Sequence, residues 1–154
     1  MAKCLQGKFT PNNPIKYVGD STQIIYRSSW ELKLFLWCDS NSSILHWASE
    51  EIVIPYFCPT DDRMHRYFPD VAIKFKTAKG EIRKALIEVK PYTQTLPPKV
   101  PKRGGTNSKR FLTETLTYSK NRAKWEAAKI WCAKNGFEFM IADEYMLGIA
   151  KRPR

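Results

Sequence analysis

The stretch YFPDVAIKFKTAKGEIRKALIEVKP, Tyr67 to Pro91, decides the fold. It reads as two strands joined by a short turn at Ala78-Lys79-Gly80. Asp70 follows Pro69 just inside the first strand. On the second strand Glu88 and Lys90 are two residues apart, so the period of a strand puts both on one face. Val71, Ile73 and Phe75, with Ala85, Ile87 and Val89, alternate to the opposite face, which is expected to be the core face. One acid from the first strand and an acid plus a lysine from the second then look the other way.

Register decides whether the acids meet. A two-residue turn at Lys79-Gly80 would set Asp70 against Val89. A three-residue loop with Gly80 in the left-handed position suits the glycine better and pairs Val71 with Ile87 and Asp70 with Glu88. Paired residues hold their Cβ atoms roughly 4.5–5.5 Å apart. Two carboxylates that close repel unless a proton or cation lies between them, which points to a hard divalent metal. The same register sets Lys74 opposite Lys84, tolerable only at a solvated end. An acid followed by acid-x-lysine on the next strand is the motif written PD-(D/E)xK, the mark of a superfamily of metal-dependent nucleases. The string alone is weak, since Glu31-Leu32-Lys33 repeats the triplet. A solvated ladder of acids and lysines is the plainer reading.

At 154 residues the chain is expected to form one domain, with 43% hydrophobic and 13% aromatic residues. Lys and Arg number 26 against 15 Asp and Glu, a net charge of +11. That surplus favours a polyanion, with nucleic acid ahead of an anionic membrane surface. Cys4, Cys38, Cys58 and Cys132 show neither zinc-site spacing nor a small disulfide framework, so buried reduced thiols are expected. The N-terminal MAKCLQGKF lacks a signal-peptide core and no run is long enough to span a membrane, so a soluble intracellular protein is expected.

Residues 1–23 read as an extended arm, with a short strand at Ile24-Ile25-Tyr26. A helix is expected from Ser28 or Ser29 to about Cys38, broken by Asp39 to Ser43. Ser28 and Glu31 have capping-box spacing. Glu31 also heads the stripe Leu34, Phe35 and Cys38, where a buried acid needs a partner such as a metal. Both roles stay open. Strands are expected at 44–47 and 51–54, the second ended by Pro55, with Asp61-Asp62-Arg63 as a turn. His46 and His65 read as structural or surface residues, His65 being the one nearer the Asp70 strand. Residues 96–110 should form a mobile basic loop whose Lys99, Lys102, Arg103, Lys109 and Arg110 clamp a phosphate backbone or merely face solvent. A helix from about Leu112 to Lys134, stopped at Asn135-Gly136, carries one side with Leu116, Ala123, Ala127, Ile130 and Trp131, and another with Tyr118, Asn121, Trp125, Ala128 and Cys132. Lys120 and Lys124 face together, as a solvated pair or as phosphate contacts. A last strand over 137–142 makes a parallel return plausible, and the basic tail 151–154 should fray. The order implies an α/β or α+β domain, a mixed sheet with flanking helices.

The blocks IIYRSSWE, ILHWASEEIVIPY, RYFPDVAIKF, LIEVKPY and TYSKNRAKWEAA together resemble the head completion nucleases of T-even-type bacteriophages. They are also similar to the N-terminal endonuclease domain of a transposon-encoded relative. The resemblance covers roughly residues 15–145. It implies a restriction-endonuclease-like core in which Glu31, Asp70 and Glu88, with the Val89 carbonyl, hold Mg²⁺ or Mn²⁺ and Lys90 acts on the attacking water. It further implies double-stranded DNA as substrate, action on packaged DNA before tail joining, head, portal or neck proteins as partners, and residence in the host cytoplasm or the virion. A non-enzymatic DNA-binding or head-neck protein, and a repair or restriction-type nuclease on the same core, are the rival readings.

Overall fold

The computed structural model describes residues 5–154, so Cys4 lies outside the described residues. In chain order the strands and helices are β1 (Gly7–Lys8), β2 (Ile25–Tyr26), α1 (Ser29–Ser40), β3 (Ile44–Ser49), β4 (Ile54–Cys58), β5 (Arg63–Tyr67), β6 (Val71–Lys76), β7 (Ile82–Val89), α2 (Lys109–Asn135) and β8 (Glu138–Ala142). The main sheet has the order β3-β6-β7-β8. Its first two pairings are antiparallel and the last, β7 with β8, is parallel. The long crossover through α2 makes that parallel return possible. No helix among the described residues is long and apolar enough to cross a membrane.

The central hairpin has the register of the three-residue loop. Val71 opposes Ile87, Ile73 opposes Ala85 and Lys74 opposes Lys84. The Thr77 amide donates to the Glu81 carbonyl at 2.8 Å and the Gly80 amide to the Thr77 carbonyl at 2.9 Å. Gly80 has φ +83°, a conformation that a side chain disfavours. One residue before Val71, Asp70 therefore stands level with Glu88.

The sheet has two core faces, where the alternation of the hairpin alone suggested one. On one face Val71, Ile73, Ala85 and Ile87 meet Leu34, Phe35 and Cys38 of α1, with Trp47 of β3. On the other, Leu86, 0% exposed, packs with Trp125, Ala128 and Cys132 of α2. The crossover carries α2 onto that second face, so the run Ala85-Leu86-Ile87 is buried on both sides. Of the two stripes on α2, the one with Trp125 faces the core. Leu116 and Ile130 of the other are more than half exposed.

Several boundaries differ from the sequence expectation. Residues 51–53 form no strand; β4 begins at Ile54 and includes Pro55. It pairs only with β5, as a separate two-stranded ribbon, whose open edge tolerates a residue without an N–H. Arg63 starts β5 rather than ending a turn, and the bend falls at Asp62, with φ +54°. Helix α2 begins at Lys109, capped by the Ser108 hydroxyl, so Lys109 and Arg110 belong to its first turn and not to the preceding loop. Its end is as expected, at Gly136 with φ +72°.

Helix α1 runs two residues past Cys38. Asp39, 2% exposed, is held there because its carboxylate accepts the Asn12 and Asn13 amides at 2.8 and 3.0 Å. Lys16 adds a C-terminal cap, its ammonium donating to the carbonyls of Cys38, Asp39 and Asn41 at 2.8, 3.0 and 2.8 Å. Phe9, Tyr17 and Ile24 of the N-terminal segment are buried against Trp47 and Phe35, and β1 pairs with β2. Cys38, Cys58 and Cys132 are buried free thiols.

Candidate active site

Pro69, which fixes its own backbone and offers no N–H, leads the chain into Asp70 where the β6–β7 ladder runs out. Beyond the Val71–Ile87 pair the Val89 amide has no partner carbonyl across the hairpin. It donates instead to Asp70 Oδ2 at 2.7 Å. A charged acceptor in place of a missing rung satisfies the amide and fixes the carboxylate.

Glu88 shares the α2-side face with Leu86 and is 8% exposed. The Tyr67 hydroxyl, at the end of β5, donates to Glu88 Oε2 at 2.6 Å. Burial pushes the Tyr67 hydroxyl far above its ordinary value, and the Glu88 charge adds to this, so it stays a donor. Lys90 Nζ lies 3.7 Å from Glu88 Oε1. The Lys90 amide donates to the Ala142 carbonyl at 3.1 Å, which pins that residue to the end of β8.

Burial and then the neighbouring Glu88 charge hold the Asp70 carboxyl well above the usual carboxylate range. The Val89 amide opposes this, Glu31 reinforces it and Lys90 opposes it. Glu31 therefore reaches the group electrostatically from α1, on the opposite side of the sheet. It also serves the helix cap: its amide donates to the Ser28 hydroxyl, which in turn donates to Glu31 Oε2, both at 3.1 Å. Burial raises its pKa, against the Ser28 bond. Of the two roles that spacing left open for Glu31, the cap is formed, and its carboxylate also lies within the field of Asp70.

Three residues of the site were not singled out for what they do. Tyr67 opens the decisive stretch, yet nothing in the pattern says its hydroxyl meets Glu88. Arg27, ion-paired with Glu50, also feels the Glu31 and Asp70 charges. Lys124, expected as half of a solvated pair or as a phosphate contact, turns inward: its ammonium sits 5.6 Å from the Tyr67 ring centroid. Burial lowers its pKa, Glu88 opposes that, and Lys120 and Lys90 lower it further. Lys99, Lys102, Arg103, Lys109 and Arg110 are all exposed between β7 and the first turn of α2, and Lys120 is half-buried. Arg110 is engaged by Glu114 at 2.8 Å. His46 is exposed. His65 does not join the acids; its ring bonds Asp61 at 2.7 Å.

Among the described residues no hydrogen bond reaches Asp70 Oδ1 or Glu88 Oε1. Two crowded, partly buried carboxylates, each with one oxygen that accepts no hydrogen bond, form an all-oxygen donor set, which suits a hard divalent cation rather than a soft one. Among the described residues, only Cys58, Asp61 and His65 bring three ligand atoms within 4.8 Å of one another. One oxygen each from Glu31, Asp70 and Glu88 are therefore not all within 4.8 Å of one another.

A mixed four-stranded sheet between two helical layers, with acids and a lysine where its central hairpin ends, is a restriction-endonuclease-like nuclease core. The chain belongs to the TnsA-like endonuclease N-terminal family, whose model matches residues 41–144. That span includes Asp70, Glu88, Lys90 and Lys124 and leaves Glu31 outside. The chain is also 42% identical over 139 residues, 90% of each chain, to the head completion nuclease of Enterobacteria phage T4.

Proposed function

We propose that the protein hydrolyses phosphodiester bonds of double-stranded DNA with Mg²⁺ or Mn²⁺, and that Glu31, Asp70, Glu88 and Lys90 carry the reaction. The supporting observation is the pair of crowded carboxylates, Asp70 and Glu88, with Lys90 beside them. Asp70, Glu88 and the Val89 carbonyl would hold the ion, with Glu31 binding it directly or through a water. When bound, the cation polarises the phosphate and lowers the pKa of a coordinated water. Tyr67 and the Val89 amide keep the two carboxylates in place before substrate arrives. The Lys90 ammonium orients the attacking water and offsets charge that grows on the phosphate oxygens. Lys124 presents a second positive charge from α2. Lys99, Lys102, Arg103, Lys109, Arg110 and Lys120 supply affinity for the backbone without reading bases.

Plasmid nicking with Mg²⁺ and with EDTA, comparing wild type with Asp70→Ala and Lys90→Ala, tests the assignment. Loss of either side chain should slow nicking at least ~100-fold while DNA binding persists. Nicking by Asp70→Ala at the wild-type rate refutes it. Salt-sensitive binding by the wild type with no metal-dependent nicking favours a non-enzymatic DNA-binding or head-neck protein. The similarity to a head completion nuclease supports a place in phage head assembly, acting on packaged DNA alongside head, portal or neck proteins in the infected cell or the virion. Failure of the Asp70→Ala allele to restore infectious heads, where the wild-type allele does, tests that role.

A further inference from the structure

The β4–β5 ribbon carries a second cluster of ligand-type side chains, away from the acids of the hairpin. Cys58 ends β4, Asp61 lies in the turn and His65 stands in the middle of β5. The ribbon folds these three onto one spot, and the Cys58 Sγ, an Asp61 carboxylate oxygen and a His65 ring nitrogen all lie within 4.8 Å of one another. His65 Nε2 is 2.7 Å from Asp61 Oδ2. The His65 ring is held by its register partner Tyr56, with centroids 5.8 Å apart. Cys58 is a free thiol, 1% exposed, while Asp61 and His65 open to solvent.

We propose that Cys58, Asp61 and His65 bind one thiophilic divalent ion of the Zn²⁺ type, with water completing a tetrahedron on the solvent side. Zn–S bonds of about 2.3 Å and Zn–N or Zn–O bonds of about 2.0–2.2 Å set tetrahedral donors roughly 3.3–3.7 Å apart. Asp61 and His65, 2.7 Å apart, need to part by roughly 1 Å, and Cys58, within 4.8 Å of both, needs to shift by no more than about 1 Å to meet that geometry. A thiolate and an imidazole select Zn²⁺ over Mg²⁺. The ion differs in class from the one an all-oxygen site takes, so the two sites do not compete. Binding displaces the Cys58 thiol proton to solvent and ties the two strands together near their turn. The proposal does not depend on the hydrolytic role of Asp70 and Glu88.

The test is titration of the full-length protein with Co²⁺ under excess Mg²⁺, followed by absorption. The expected result is a thiolate-to-Co²⁺ charge-transfer band in the near ultraviolet that saturates at one equivalent and disappears when Zn²⁺ is added. The band should persist in Asp70→Ala, vanish in Cys58→Ser, and require at least ~10-fold more Co²⁺ in His65→Gln. His65 is partly exposed, so that variant remains informative should Cys58→Ser fold poorly. Absence of the band in the wild type overturns the proposal. So does a band that survives Cys58→Ser, or a Co²⁺ midpoint unmoved in folded His65→Gln.

Discussion

Tyr67→Phe removes one oxygen and leaves the ring, its packing and its contact with Lys124 in place. The lost atom is the only hydrogen-bond donor to Glu88 Oε2 among the described residues, at 2.6 Å, in a pair whose members are 3% and 8% exposed. A hydrogen bond to a charged group contributes about 1.5–3 kcal/mol, and more is at stake where water cannot replace the donor. For a chain of this length each kcal/mol moves the melting temperature by about 2–4 °C. Tyr67→Phe should therefore melt roughly 3–12 °C lower in EDTA. Because Glu88 would also lose its anchor, the Mg²⁺ concentration giving half-maximal nicking should rise about 10–100-fold. In a Glu88→Gln background the stability loss should fall to about half or less, since a neutral acceptor makes the weaker bond. Differential scanning fluorimetry in EDTA and a nicking assay across Mg²⁺ concentrations read both effects. A variant with wild-type melting temperature and an unmoved Mg²⁺ midpoint refutes the idea that this hydroxyl positions Glu88.

Three further outcomes are expected. Asp70 has a raised folded-state pKa, so its contribution to stability is complete below the unfolded value near 3.9 and is lost as pH rises through the folded value. In EDTA, Asp70→Asn should then melt above the wild type at pH 7.5, with the gap closing toward pH 4; a gap constant in pH contradicts this. Replacing Lys102 and Arg103 by Ala should make the plot of log binding constant against log salt shallower by about 2, at roughly 0.9 per lost phosphate contact; an unchanged slope removes the exposed segment from the DNA-binding surface. Gly80→Ala meets nothing nearer than Lys76 Cε at 3.9 Å, so only backbone strain opposes it. It should cost about 1–2 kcal/mol, read by urea denaturation; a neutral result means the turn relaxes to another form.

The hairpin was legible because its determinants are local. One glycine with positive φ selects the loop, the loop sets the register, and the register puts Asp70 level with Glu88. The end of α2 at Gly136 was legible for the same reason. The second core face was written less plainly, in three consecutive apolar residues from Ala85 to Ile87, which a strand solvated on one side would not carry. The β4–β5 ribbon escaped because Pro55 looks like a terminator, and only the ribbon's isolation from the main sheet makes it harmless. The burial of Phe9, Tyr17 and Ile24 has no period to read, since single side chains are tucked under α1 by contacts such as Asp39 with the Asn12 amide. Nor could spacing show that Lys124 turns inward. That depends on how α2 lies across the sheet, which no local pattern specifies.

Two apolar layers leave charged groups few places to converge, and the end of the sheet is one of them. Glu88 comes from the α2 side, Glu31 from the α1 side, and Asp70 lies at the end of the ladder within the field of both. Folding alone would avoid this arrangement, since each carboxylate raises the energy of ionising Asp70. The basic groups around it only partly offset that: Lys90 stands 3.7 Å from Glu88, and Lys124 is itself disfavoured by burial. A bound divalent cation would relieve the repulsion that Tyr67 and the Val89 amide merely hold in place. Metal binding and folding are then linked through Asp70, and Mg²⁺ should raise the melting temperature more at pH 8 than at pH 5, where a proton already does part of the cation's work.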